Sequence, residues 1–227
     1  MKEYLNLSSE EMDKRLAEIL EEHKTRRKAD IIFCLDCTGS MSGEIEAVKD
    51  TIAEFSEMIE KDGMYARFGL IEFRDRLFGE EHKVHNFGGQ VFTRDPVAFK
   101  SKVSRLKAGG GHDEPESSLD AVMLACSQPF ENDSTKVIVL ITDAPPHLPD
   151  KETKSIEEVV GRIKETCIDH FYCAIRTEDP RNDIYRKCIV KNGMVFNLDR
   201  GDNFKIRSDN FKRILKALGK TITKGSY

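Results

Sequence analysis

The chain has 227 residues, 39% hydrophobic and 33% charged, with 13 Phe and no Trp, which suits one large soluble α/β domain. A net charge of −4 and a pI near 5.9 argue against a nucleic-acid surface, which shows as a clustered basic excess. The opening "MKEYLNLSSEEMDKRL" has no apolar run behind its charges, and no stretch approaches the roughly 20 apolar residues that cross a bilayer, so neither a secretory signal nor a membrane span is expected and a cytoplasmic location is.

Residues 8–28 read as a charged amphipathic helix, with Ser8 and Glu11 as a capping box and Met12, Leu16, Ile19, Leu20 and His23 on one stripe. A lone helix of that length is marginal in water, so the stripe is expected to dock on the flank of its own domain, leaving a monomer. "DIIFCL" (30–35) is a buried strand, and Ile45, Val48, Ile52, Phe55 and Ile59 predict a helix over 42–61 with one apolar face. "MYARFGLIEF" (64–73) is a second strand and 83–91 a weaker one.

Phe99, Val103 and Leu106 mark a short helix after Asp95-Pro96, and Leu119, Val122, Met123 and Cys126 another after the "GGG" at 109–111. "KVIVLITD" (136–143) is a near-continuous apolar run of the kind that parallel sheets bury on both faces. Ile156, Val159, Val160, Ile163 and Cys167 form a helix, followed by strand 171–177, a helix near 180–191, strand 194–198 and an amphipathic helix over 209–219. Strands alternating with helices predict a Rossmann-like three-layer αβα domain, its mostly parallel sheet flanked by helices on both faces. The division is an N-terminal helical extension (1–29) and one domain (30–227).

The six cysteines suit a reducing compartment, most of them lying in apolar stretches where free Cys acts as a small hydrophobe. Cys34 and Cys37 form a CxxC, but Cys34 reads as strand and Cys37 as a loop spacer, and neither a second CxxC nor clustered His supports zinc.

Ligands of such sheets bind beyond the carboxyl ends of the strands, near the point where strand order reverses. Three oxygen-rich loops lie at strand or helix ends: "DCTGS" (36–40), "GGGHDEPES" (109–117) and "TDAPPH" (142–147). Oxygen-only donors from three loops suit a hard divalent cation such as Mg²⁺, with Mn²⁺ and Ca²⁺ as alternatives. Singly, each residue has a plainer role: Ser40 or Ser42 as a helix cap, Thr38 as turn support, Asp143 in an Asx turn, Glu116 as first-turn charge.

The D-x-T-x-S of Asp36, Thr38 and Ser40 is similar to the metal-ion-dependent adhesion site of von Willebrand factor A domains. "FGLIEFRD", "GGGHDEPESSLDAV" and "VIVLITDAPPH" resemble later segments of intracellular and bacterial members, and the likeness covers roughly residues 30–220. It implies hydroxyl ligands Thr38 and Ser40, with Asp36 and Asp143 holding the ion directly or through water. Many members supply Thr from the second loop; counting back from Leu119 puts Asp113 there, with Glu116 the competing carboxylate. A third carboxylate would leave the site formally −1 around a 2+ ion, which weakens its attraction for an acidic ligand. The joint pattern outweighs the plainer roles for Asp36, Thr38, Ser40 and Asp143, but His112 and His147 read as solvent-exposed loop residues.

The resemblance implies a non-enzymatic module that binds a protein partner through its metal face, with Arg74 beside the site able to receive an acid. The enzyme alternatives are weaker. A haloacid-dehalogenase-type phosphatase needs a second acid where Thr38 stands, and a nucleotide site on "GGG" lacks the P-loop Lys and sets two carboxylates against phosphate.

Overall fold

The computed structural model describes Glu11, Lys14 and residues 27–112, 114–198 and 204–224. Glu11 and Lys14 are helical, and the other residues of the expected 8–28 helix up to 26 lie outside the described residues, as does Asp113. Its last two expected positions are not helical: Arg27 and Lys28 already pair with Met64 and Tyr65 in the sheet, so ladder bonds start the first strand before the expected boundary at 30.

The elements in chain order are β1 (Arg27–Asp36), α1 (Ser42–Lys61), β2 (Met64–Phe73), β3 (Lys83–Val84), α2 (Pro96–Val103), α3 (Ser118–Cys126), β4 (Thr135–Ile141), α4 (Ile156–Glu165), β5 (His170–Ile175), β6 (Asn192–Asn197) and α5 (Phe204–Lys224). The six strands form one sheet in the order β3-β2-β1-β4-β5-β6, parallel except for β3. The Rossmann-like reading therefore holds. From β1 the chain builds first to one side with β2 and then to the other with β4, so strand order reverses between β1 and β4.

Side chains of β1 alternate between two cores, as the period of two requires. Ile31, Phe33 and Leu35 join Phe55, Phe99, Phe211 and Leu218 beneath α1, α2 and α5. Ile32 and Cys34 join Leu119, Val122, Val159 and Ile163 beneath α3 and α4. Helix starts follow the expected chemistry: the Asp95 carboxylate accepts from Val97 N ahead of Pro96, and Ser155 Oγ accepts from Glu158 N.

Departures from the sequence reading have local causes. The strand expected over 83–91 keeps two residues, because Gly88 and Gly89 (φ +62° and +93°) turn the chain back so that Phe87 bonds Gln90. The helix expected near 180–191 is a 3₁₀ helix over Pro180–Cys188, and its buried residues Asn182, Tyr185 and Cys188 fall every third position, matching three residues per turn. Helix α4 stops at Glu165, and Cys167 takes a left-handed φ of 54° beyond it. Helix α5 runs longer than the expected 209–219 at both ends.

Phe33 is fully buried, its ring 5.7 Å from that of Phe55 and 5.9 Å from that of Phe99. Phe33→Ala should cost about 3–5 kcal/mol in urea unfolding. A loss below about 1 kcal/mol would mean that the aromatic cluster is not what joins α1 and α2 to the sheet.

Candidate metal centre

Asp36 is the last residue of β1 and is fully buried. Its Oδ1 accepts from Thr38 N (2.9 Å) and Thr38 Oγ1 (2.7 Å), and its Oδ2 accepts from Thr142 Oγ1 (2.7 Å) at the exit of β4. One carboxylate thus ties together the exits of the two strands between which the order reverses. Burial pushes its pKa up to about 6 against the lowering by those hydroxyls.

After Thr38 the chain makes one 3₁₀ turn, Gly39–Met41, before α1. Neither hydroxyl caps it: Thr38 makes no side-chain cap bond, and Ser40 Oγ instead donates to Asp143 Oδ1 across 2.8 Å. Thr38 Oγ1 and Ser40 Oγ lie 3.3 Å apart. Asp36, Thr38, Ser40 and Asp143 therefore form one cluster, as the D-x-T-x-S reading expected.

The second loop closes on the first through backbone. Gly39 N donates to Gly110 O (3.1 Å), and Gly109 N to Cys37 O (3.0 Å). Gly111 has φ +71°, and a Cβ there would lie 2.9 Å from Glu116 Oε1 and 3.0 Å from Thr38 Cβ. Glycine is needed at 111 for both reasons, and Glu116 and Thr38 converge on it. Backbone bonds Glu116 N to Pro145 O and His147 N to Glu116 O, each 2.9 Å, stitch the second loop to the third.

Glu116 is 4% exposed, and its Oε2 is buried without a hydrogen-bond partner. Burial, with Asp36, Asp75, Glu80 and Asp143 nearby, pushes its pKa up to about 9. A buried carboxyl oxygen with no donor, beside other acids, is a place that a proton, a water or a cation can stabilise. Among the described residues no group of three or more His, Cys, Asp or Glu is arranged as a metal cage. The donors that fit a hard cation here are mixed: the carboxylates of Asp36, Asp143 and Glu116 and the hydroxyls of Thr38 and Ser40.

Two expectations are corrected. Arg74 is not open to an acid, since its guanidinium is bound to Glu72 (2.7 Å), Gly109 O (2.8 Å) and Lys107 O (2.9 Å), where it braces the second loop. His147 is not a solvent-exposed loop residue; its side chain is 13% exposed and its Nε2 is 3.1 Å from Asp75 Oδ2. His112 is exposed as expected and stacks on Phe78 at 4.5 Å. Cys34 and Cys37 are both buried, free thiols. The sequence reading missed Thr142, although it immediately precedes Asp143, and missed Arg176 at the exit of β5, whose Nη2 is 2.8 Å from Asp143 Oδ2.

The sequence model of the family described as "von Willebrand factor A domain" matches residues 30–186. Among curated proteins, the chain is 32% identical over 148 residues to "Alpha-protein kinase vwkA" of Dictyostelium discoideum, covering 61% of this chain and 23% of that protein. It is 34% identical over 116 residues to "von Willebrand factor A domain-containing protein 7" of Homo sapiens, covering 50% of this chain and 12% of that protein. The chain thus spans less than a quarter of the length of either relative. Among solved structures, "von Willebrand factor type A from Catenulispora acidiphila" shares the fold at a TM-score of 0.60 and 19% identity, over 83% of this chain and 42% of that one.

The brace on the second loop generates a test. His85 and Arg74 hold the Glu72 pKa down to about 2 from 4.5, against its burial. A carboxyl lowered by folding adds stability that is full above about 4.5 and is lost as pH falls toward about 2. Glu72→Gln should cost about 2 kcal/mol at pH 7 and almost nothing near pH 2, measured by denaturant unfolding across that range. A cost independent of pH would exclude the ion pair as its source.

Proposed function

Because the chain belongs to the von Willebrand factor A domain family, whose members are generally protein-interaction modules, we propose that it is a non-enzymatic module that binds a protein partner through a divalent cation on the face at the carboxyl ends of β1 and β4. Asp36, Thr38, Ser40 and Asp143 hold the ion, Mg²⁺ with Mn²⁺ and Ca²⁺ as alternatives. Glu116 is the second-loop carboxylate that the described residues offer, with Asp113, which lies outside them, the alternative. The observation that carries this reading is the buried Glu116, whose Oε2 has no hydrogen-bond partner and whose Oε1 converges with Thr38 on Gly111. When bound, the ion would supply a Lewis-acidic position at which an oxygen of the partner replaces water.

The protein works as a monomer in the cytoplasm and contacts neither nucleic acid nor membrane. Six unpaired thiols agree with a reducing compartment, and among the described residues no helix is long and apolar enough to cross a membrane. The kinase activity named for the Dictyostelium relative is not transferred, since this chain covers 23% of that protein.

Thermal unfolding with and without chelator tests the site. Free Mg²⁺ at a hundred times its Kd should stabilise the domain by about 2.7 kcal/mol, and Asp36→Ala should abolish the shift. Glu116→Gln should separate two effects: it stabilises the domain in chelator by about 1 kcal/mol, because a buried unpartnered acid is removed, and it weakens Mg²⁺. Asp113→Thr should leave Mg²⁺ binding intact. A melting temperature indifferent to all three ions would refute the site.

We further infer that the segment before β1, residues 1–26, is an extension whose apolar stripe packs on the flank of the domain. Deleting residues 1–26, which spares β1, should lower the melting temperature or cause self-association in sedimentation. An equally stable, monomeric truncation excludes that packing.

A further inference from the structure

Arg176 directly follows β5, the strand beside β4, and this position carries its guanidinium to Asp143. Its Nη2 is 2.8 Å from Asp143 Oδ2, with the two side chains 17% and 1% exposed. The other Asp143 oxygen accepts from Ser40 Oγ, so the guanidinium sits on a candidate ligand in the middle of the cluster. The grip is partial: Arg176 Nε is buried without a hydrogen-bond partner. The backbone is fixed independently, since Asn182 Nδ2 donates to Arg176 O across 2.8 Å. The backbone position of Arg176 is thus held independently of its bond to Asp143, so loss of that bond need not move β5.

Neighbouring cations are engaged elsewhere. Arg74 braces the second loop, Arg181 pairs with Asp179 and Glu114, and Arg207 lies 3.7 Å from the buried Glu44. Arg176 contacts a candidate metal ligand directly. The charge count gives it two opposed effects. Ionised Asp36, Asp143 and Glu116 around a 2+ ion leave −1, and Arg176 brings the face to zero. A cation on Asp143 also repels an incoming ion and occupies one of its oxygens. With Arg176 present, the ion binds more weakly and a carboxylate is better received.

We propose that Arg176 is a tethered counter-cation of the metal face, which competes with the divalent ion for Asp143 and, once displaced from it, receives a carboxylate of the partner beside the ion. This rests on the metal-dependent reading above and adds to it the role of Arg176, a planar, two-pronged donor set beside the ion.

The test is calorimetric titration of the whole chain with Mg²⁺ alone, then titration of the Mg²⁺-saturated protein with an Ala-Glu-Ala peptide. Arg176→Gln should bind Mg²⁺ about tenfold more tightly, about 1.4 kcal/mol, and bind the peptide more weakly. Arg176→Lys keeps the charge and should stay within about threefold of the wild type for Mg²⁺. Unchanged or weaker Mg²⁺ binding by Arg176→Gln, beside a wild type that binds, overturns the competition and leaves the metal site standing. Peptide binding that is not weakened overturns the role assigned toward the partner. If neither protein binds Mg²⁺, the metal site and the competition fail together; binding by the variant alone is the strongest form of the competition. If Arg176→Gln does not fold, the wild type answers instead. Its Arg176 Nε–H resonance, assigned with Arg176→Lys, must shift along the Mg²⁺ titration, and a resonance that stays still overturns the proposal.

Discussion

The whole face depends on one buried carboxylate. Asp36 has no solvent of its own and exists as an ionisable group only because Thr38 and Thr142 supply hydrogen bonds to both its oxygens. Leaving it without those donors would cost several kcal/mol on burial. The two threonines come from the exits of β1 and β4, so the same bonds that satisfy the acid also fix where the first and third loops depart from the sheet. Backbone bonds from Gly39 and Gly109 then register the second loop on the first, and Glu116 follows from that registration. A topological feature, the reversal of strand order, becomes through one side chain a cluster of oxygens with fixed geometry.

Most of the fold was legible because its signals are local and periodic. The bounds of α1 and β2 match the residues expected for them, since a 3.6-residue apolar period and an apolar run bounded by turn residues each describe one element without reference to the rest. The misreadings occurred where long-range terms decide. Nothing in 180–191 distinguishes an α-helix from a 3₁₀ helix until the core is known to need every third residue, and the strand expected over 83–91 stops at Val84, ahead of the turn that Gly88 and Gly89 make. The site shows the same division. Asp36, Thr38, Ser40 and Asp143 stand in short motifs at predictable strand ends, so they could be read. Arg176 could not: it is one Arg after one strand, and only the adjacency of β5 to β4 gives it a partner. Arg74 failed for the converse reason, being near the site in sequence order but engaged by Glu72 and by the carbonyls of Lys107 and Gly109 at the start of the second loop.

The acid surplus also decides what kind of device this face is. Burial raises the pKa of Asp36 to about 6 and that of Glu116 to about 9, so each pays a folding cost that the packing does not return. Such unfavourable arrangements persist where surrounding structure over-determines them, and they mark sites whose stabilisation arrives with a ligand. The over-determination is visible in the backbone bonds that join all three loops, and in Arg74, which holds carbonyls of the second loop rather than an acid of the cluster. Because the loops are fixed before any cation arrives, little ordering remains to oppose its binding. Selectivity toward a partner must then come from charge and donor geometry at the rim more than from loop closure. A face that is rigid, acidic and countered by the Arg176 guanidinium has two ways to lower its energy. Both involve Asp143, which makes that residue, at the mouth of β4, the point where ion and Arg176 are alternatives.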